Sequence, residues 1–527
     1  MSLRSRNTND NISALRQKIA QLHYEKANMR LWKEKDAADA EAEIGKVKAQ
    51  LNSFRRSLSW QVTKALRQIS SFARSVRNSA LKHWSLSPQN LDDSEFITQG
   101  KEAWDSHAQQ VLSDFLGQNR QVVFPAMDCP SVSIVIVSYN SPHLLLLSLL
   151  SIADHADASY EVIIVDNASR DDTLSILERV RGATIVRNST NTGFPAACMQ
   201  GVSCAVGTFL CFLNNDALLG EGCLSTALKV FAHDASIGAV GAKILDPDGQ
   251  LQEAGAIIWC DGTTNGYGFK EDPFQFPYLF RRPVDYCSGA LLVTPRTLFN
   301  DLAGFDVGFS PGYYEDADYC MRLWSHARSV VYEPECIVHH YGNAGSRHKG
   351  EALSLVIRNH EKFYRRWASE LLDHYEPYGD NLGRARFAAA DNRMRILAVV
   401  EEIPHRDEGK PSREWTGLHR LMERGLVTCA ATGKRPLESD YLEIDRDIEL
   451  LDATAESASV IRSVAGDYDL FWLPSESSLA AFSSAVCELN QLVAEVELEL
   501  SSDVRRFAFD EFLATFGKRN VPPPTSP

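Results

Sequence analysis

A chain of 527 residues is too long for a single hydrophobic core, and two to four structural units are expected. Its hydrophobic fraction of 44% and charged fraction of 23% are those of a water-soluble globular protein, and a formal net charge of -15 excludes general nucleic-acid binding, which needs a basic surface. The 11 cysteines stand singly with no C-x-x-C pair, so they read as reduced, mostly buried thiols rather than a disulfide framework or a zinc site.

The chain opens "MSLRSRNTND" without an apolar run of the kind a secretory leader needs, and no uncharged stretch approaches the ~20 residues that span a bilayer. A cytoplasmic protein is expected, with peripheral contact on the inner face of the cell membrane as a further option. Ile12, Leu15, Ile19, Leu22 and Met29 fall on heptad a and d positions, as do Ile44, Val47, Leu51, Phe54 and Leu58. Two short coiled-coil pieces fit this better than one long one, because Lys26 interrupts the seam. A solvated helix packed on its own protein is the plain alternative.

From Ser53 to Ser85 the basic residues Arg55, Arg56, Lys64, Arg67, Arg74, Arg77 and Lys82 appear with no acidic residue among them. Leu58, Val62, Leu66, Ile69, Phe72 and Val76 recur at helical spacing, giving a basic amphipathic helix for an anionic membrane surface or an acidic partner. Residues 1–85 therefore form a coiled-coil and basic helical region that a catalytic sheet does not need. It could serve homo-oligomerisation or an assembly partner. A linker with one helix follows over 86–129.

The main α/β pattern opens at Pro130. "SVSIVIVSYN" reads as a buried strand, "PHLLLLSLLSIADH" as a helix with Pro142 in its first turn, and "YEVIIVDNAS" as a second strand ending at Asp166. "DDTLSILERV" reads as a helix, "ATIVRN" as a short strand, "STNTGF" as a turn and "TFLCFLNND" as a further strand ending at Asp216. Alternating strands and helices imply βαβ units and a mostly parallel sheet. After a polar linker at 376–393, "MRILAVVEE", "REWTGLHRLMERG", "LVTCAATG" and "YDLFWLPS" begin a second Rossmann-like unit over 394–515. It carries no G-x-G-x-x-G and is followed by a disordered tail at 516–527.

Asp166 and Asp216 end parallel strands, so both face the sheet edge where such folds hold ligands. "SYNSPH" replaces a glycine-rich phosphate loop after the first strand. A phosphate ligand would then be neutralised by a carboxylate-held Mg2+ or Mn2+, which prefer oxygen ligands. In "GYYEDADYCMRLW", Glu315, Asp316 and Asp318 crowd a helix start, and clustered carboxylates raise one another's pKa, which suits a general base. His339 and His340 end a later strand and are candidate metal ligands.

Seven motifs occur in order between residues 130 and about 370: "VSIVIVSYN", "EVIIVDNAS", "NTGFPAA", "FLNNDA", "YCSGALLVTPR", "GFDVGFSPGYYEDADYCMRL" and "VHHYGNAGS". This region resembles a family-2 glycosyltransferase of the GT-A fold, with the rhamnosyltransferase-like bacterial polysaccharide enzymes nearest. The resemblance implies a GT-A domain at 130–375 and inverting transfer of a sugar from a nucleoside diphosphate donor, dTDP-rhamnose among the candidates. The acceptor would be a hydroxyl of a surface polysaccharide such as O-antigen or capsule, or of a lipid-linked glycan.

The resemblance also implies roles. Tyr139, Asn140 and Asp166 would contact the nucleoside, and Asn191 and Asn215 the donor side. Ser288, Gly289 and Ala290 would border the donor sugar. "NND" replaces the family's D-x-D, with Asn214 in place of the first carboxylate and Asp216 as metal ligand. Asp316 would be the base with Glu315 its rival, and His339 would complete the metal shell with His340 as the alternative. The 394–515 piece resembles the N-terminal half of a GT-B glycosyltransferase, without the half that binds a donor. A non-catalytic scaffold subunit with a decayed transferase domain is the competing expectation.

Overall fold

The computed structural model describes residues 18, 21–22, 24–35, 100–342, 349–377, 381–404, 406–407, 410–437, 440, 446–486, 495–500 and 503–508. The second heptad run, the basic helix and the tail at 516–527 lie outside the described residues, as does most of the first heptad run.

Two large sheets organise the described chain. The first is built from β1 (Val132–Ser138), β2 (Tyr160–Asp166), β3 (Ala183–Arg187), β4 (Phe209–Leu213), β5 (Ala217–Leu219), β6 (Ile237–Leu245), β7 (Leu251–Ala254), β8 (Arg282–Pro283), β9 (Leu291–Pro295) and β10 (Ser329–His340). Its order is β8-β10-β6-β9-β4-β1-β2-β3, with β5 paired to β10 and β7 to β6. The β4-β1-β2-β3 half is parallel throughout; β9 enters antiparallel between β4 and β6, and β10 runs parallel to β6. The fold is thus α/β with a mixed, parallel-rich sheet.

The unbroken apolar run of β1 is what a strand covered on both faces requires. Alternate residues serve opposite layers. Ile134 and Ile136 join one core with Leu145 and Leu149 of the helix Pro142–His155. Val135 and Val137 join another with Ala197 and Val202 of the helix Phe194–Cys204. "DDTLSILERV" makes only the short helix Thr173–Leu177, then turns into the strand Val180–Arg181.

The expectation of wholly reduced cysteines is corrected. Cys223 and Cys336, both fully buried, are joined as a disulfide with Cα atoms 4.2 Å apart. They are 113 residues apart in sequence, and only the packing of the helix Cys223–His233 against β10 brings them together.

The second sheet contains β11 (Met394–Val400), β12 (Gly425–Ala431), β13 (Ile448–Asp452), β14 (Leu470–Trp472), β15 (Glu495–Leu500) and β16 (Asp503–Ala508), in the order β13-β12-β11-β14-β15-β16. All its pairings are parallel except β15–β16. It packs directly on the first unit: Leu279, Phe280 and Phe387 share a core with Ile396, Trp415, Leu418 and Ile448.

Buried charges accompany this apolar seam. Arg386 donates to Glu449 at 2.7 Å, Thr428 donates to the same carboxylate at 2.7 Å, and Arg282 donates to the Arg386 carbonyl at 3.1 Å. Removing one partner of a buried pair strands the other charge. Arg386→Met should therefore destabilise the protein by about 3–5 kcal/mol, and adding Glu449→Leu should recover most of that loss. Urea unfolding checks this; a single-variant loss below about 1 kcal/mol would show that the pair does not hold the seam.

The described N-terminal helical residues pack on the first unit, as the plain alternative for this region expects. Tyr24 stacks on Tyr364 with ring centroids 4.1 Å apart, Asn28 meets His360 at 3.1 Å, and Ala27 and Leu31 are buried. These residues share one helical face because they recur at three- and four-residue spacing. The heptad positions Leu22 and Met29 face solvent instead, at 55% and 61% exposure. No helix among the described residues is long and apolar enough to cross a membrane.

Candidate active site

The carboxyl ends of β1, β4 and β10 and the amino end of β9 meet at one edge of the first sheet, because β4, β1 and β10 share a direction and β9 opposes them. A cleft of about 610 Å³ opens there. Asn214, Asn215, Asp216, Ser288, Gly289, Ala290, Glu315, Asp316 and His340 line it, joined by Tyr139 and Asn191. A side recess of about 470 Å³ is lined by Tyr139, Asn140, Arg170, Asp171 and Asn191, among others.

The recess is shaped by polar turns. Asn140 adopts a left-handed conformation (φ 55°), and its side-chain oxygen accepts from the Arg170 amide at 3.0 Å. Asp166 is 2% exposed, and one carboxylate oxygen accepts from Ser169 N at 3.0 Å. It stands behind the recess and holds the turn, rather than in the lining. Asn167, not anticipated, donates to Asn191 at 2.9 Å and accepts from Asn188 and from the Thr192 amide. Gly193 in "NTGF" has φ 86°, and a Cβ there would lie 2.8 Å from Pro311 Cα. Only glycine fits where these two distant motifs touch.

On the Asp216 side the structure brings His340 to the cleft wall. His340 Nε2 lies 3.2 Å from Asp216 Oδ1 and 3.2 Å from Asn214 Nδ2, and its Nδ1 is 3.0 Å from Gln252 Oε1. Gln252 Oε1 can only accept, so Nδ1 carries a proton toward it, and Nε2 is the ring nitrogen turned to Asn214 and Asp216. His339 is not among the residues lining the cleft. It is the neighbouring residue on β10, so it projects from the opposite face. Its Nδ1 is buried without a partner, and burial lowers the imidazole to about 4.

Among the described residues no cluster of three or more His, Cys, Asp or Glu side chains is assembled to hold a metal. Asp216 and His340 nonetheless fit a divalent ion as two protein ligands, an oxygen and a ring nitrogen on the cleft wall. Diphosphate oxygens and water can complete such a shell, as Mg2+ commonly requires.

Also in the lining, the start of the helix Glu315–Ser325 presents its carboxylates differently. Asp318 is fully buried and spent on structure: it accepts from Arg322 at 3.0 Å, Arg366 at 2.7 Å and Trp367 at 3.1 Å. Glu315 is 6% exposed with one oxygen unpartnered; burial first, and the Asp316 charge second, hold its carboxyl well above the usual range. Asp316 is partly open to the cleft and accepts from the Gly289 amide at 3.0 Å and the Ala317 amide at 2.8 Å. Burial raises its carboxyl too, against the pull of those amides.

Tyr313 and Tyr314, just before these acids, both have left-handed backbones (φ 75° and 73°), a costly conformation for aromatic residues. Asn359, which no sequence signal marked, holds this loop by donating to the carbonyls of Phe309, Gly312 and Tyr313.

Residues 133–288 match the sequence profile described as Glycosyl transferase family 2. The chain is similar to the O-antigen biosynthesis protein RfbC of Myxococcus xanthus, 28% identical over 237 residues, covering 43% of this chain and 18% of that protein. It is similar to the N-acetylglucosaminyl-diphospho-decaprenol L-rhamnosyltransferase of Mycobacterium tuberculosis, 26% identical over 257 residues, covering 44% of this chain and 82% of that enzyme. An uncharacterised protein, y4gI of Sinorhizobium fredii, is 25% identical over 280 residues, 50% of this chain and 30% of that protein. The chain thus spans less than a third of the length of two of these relatives. Among solved structures, GalNAc-T7 with UDP, GalNAc and Mn2+ aligns at 16% identity and a TM-score of 0.37, over 46% of this chain and 50% of that one. With the profile match lying on β1 to the cleft-lining Ser288, the chain carries a family 2 glycosyl transferase domain.

Proposed function

We propose that the protein is an inverting, metal-dependent glycosyltransferase that moves a sugar from a nucleoside diphosphate donor to a hydroxyl of a surface polysaccharide or lipid-linked glycan. The observation that carries this reading is that one cleft is lined by Asp216 and His340, paired at 3.2 Å, together with Asp316. An anomeric displacement needs those two functions on opposite sides of the reacting carbon. The names of the O-antigen and rhamnosyltransferase relatives support the acceptor class and make a rhamnosyl donor such as dTDP-rhamnose the first to test.

Asp316, open to the cleft and held by two backbone amides, takes the proton of the attacking hydroxyl. Ser288, Gly289 and Ala290 border the donor sugar, while Tyr139, Asn140, Asn191 and Asn215 orient the nucleotide side. Among the described residues the main cleft is lined by no Lys or Arg, and the lining cation Arg170 belongs to the side recess. Mn2+ or Mg2+ held by Asp216 and His340 would supply Lewis-acid charge for the departing nucleoside diphosphate.

The test is incubation with a panel of nucleotide sugars, following nucleoside diphosphate release with manganese, with magnesium and with EDTA. Release from at least one donor, lost in EDTA and restored by added ion, is expected. No release from any donor with either ion overturns the transferase reading, and release unaffected by EDTA overturns its metal dependence. The docked second unit, which resembles half of a GT-B enzyme, is assigned a supporting rather than a second catalytic role. The N-terminal region is assigned to partner or peripheral membrane contact.

A further inference from the structure

Glu253 is a buried carboxyl that the mechanism above leaves unused. It lies on β7, where its neighbour Gln252 turns to His340 while Glu253 itself projects from the other side of the strand. Glu253 is 8% exposed, and its Oε1 accepts from the Ser288 amide at 3.1 Å. The next amide along the chain, Gly289 N–H, donates to Asp316 Oδ2 at 3.0 Å. The one after that, Ala290 N–H, donates to the Ser288 hydroxyl at 3.2 Å.

Three successive amides are therefore committed, the first to Glu253 and the second to Asp316. Only the two backbone dihedrals of Ser288 separate those two N–H groups. Steric crowding does not fix the segment, because a Cβ placed on Gly289 would find its nearest neighbour 3.7 Å away, an ordinary contact. Hydrogen bonds must hold it. Burial lifts the Glu253 carboxyl to about 8, which leaves it largely protonated at neutral pH and spares Asp316 a second negative charge nearby.

We propose that Glu253 is a positioning residue for the base: it fixes the Ser288 amide so that the Gly289 amide meets Asp316 Oδ2. The role in turnover rests on the transferase reading above; the clamp on the 288–289 segment does not. Glu253→Gln keeps an acceptor of the same shape, whereas Glu253→Ala removes it. Glu253→Met removes it while conserving volume, which guards against a variant that merely collapses.

Hydrogen–deuterium exchange of peptides spanning Ser288–Gly289, measured on the full chain without substrate, should be faster in the Ala and Met variants and unchanged in the Gln variant. In the transfer assay, kcat should fall by about tenfold in the Ala and Met variants, the size of one net hydrogen bond, with donor KM unchanged. Glu253→Gln should restore kcat to near the native value. Unaltered exchange in both Ala and Met variants overturns the clamp, and a Gln variant as impaired as Ala overturns it equally. Since exchange needs no donor, an inactive native protein would sink the transferase reading while the exchange result still decides this one.

Discussion

Asp316→Asn should lower turnover by about 10²-fold or more while leaving donor binding in place, because the substitution keeps size and removes the capacity to accept a proton, together with one of the two backbone hydrogen bonds. The geometry separates Asp316 from its neighbours. Asp318 is consumed by Arg322, Arg366 and Trp367, and Glu315 is buried with an oxygen that no donor reaches. Glu315→Gln, at a carboxyl that burial holds well above its usual range, should cost far less. Transfer rates with calorimetric donor affinity decide the matter: a crippled Glu315→Gln beside an active Asp316→Asn exchanges the two roles.

The same burial sets the pH dependence. The base works only when deprotonated, and a raised carboxyl holds its proton to higher pH than an exposed one. The acid limb of kcat should therefore lie above the ordinary Asp value of about 3.9, with activity lost as pH falls through it. Because Glu315 and Asp316 interact, the limb belongs to the pair rather than to one residue. A limb at or below about 4 would contradict the burial argument.

Asp216→Ala should abolish the tightening of nucleoside diphosphate binding by manganese, and transfer with it. His340→Ala should do nearly the same, and His339→Ala should leave the metal response intact. Gln252→Leu, which removes the acceptor that meets His340 Nδ1, should weaken the metal response by about 10–100-fold, the usual cost of losing an outer-shell partner. Direct ligands should cost more than that. Calorimetry with manganese and with EDTA makes the comparison. Native binding that is indifferent to EDTA removes the metal from the site, and a metal response lost with His339 but kept without His340 reverses the assignment.

The strands that frame this cleft were legible because a strand covered on both faces must be continuously apolar. "VSIVIVS" and "FLCFL" are apolar throughout except for Ser133, whose hydroxyl donates to Glu161 at 2.6 Å, and Ser138 at the strand end. The positions of Asp216, Glu315 and Asp316 followed, since polar residues ending such strands or opening a helix fall at the ligand edge. The choice between His339 and His340 was not legible. Neighbouring strand residues differ by which face they present, and register is set by pairing with β5 and β6 rather than by spacing.

By itself, then, the sequence determined the α/β class, the order of the first unit's strands along the chain, and the carboxylates available to the site, because periodicity and chain order are local properties. Tertiary structure alone decided that His340 faces Asp216, that Gln252 meets its Nδ1, and that Glu253 grips the amide next to the one holding Asp316. It also decided that Cys223 meets Cys336 and that Arg386 meets Glu449 across the seam between the sheets. Each of those pairs joins residues far apart in the chain. Such partners are selected by sheet order and by the requirement that a buried polar group find a partner, and neither leaves a mark in the local sequence.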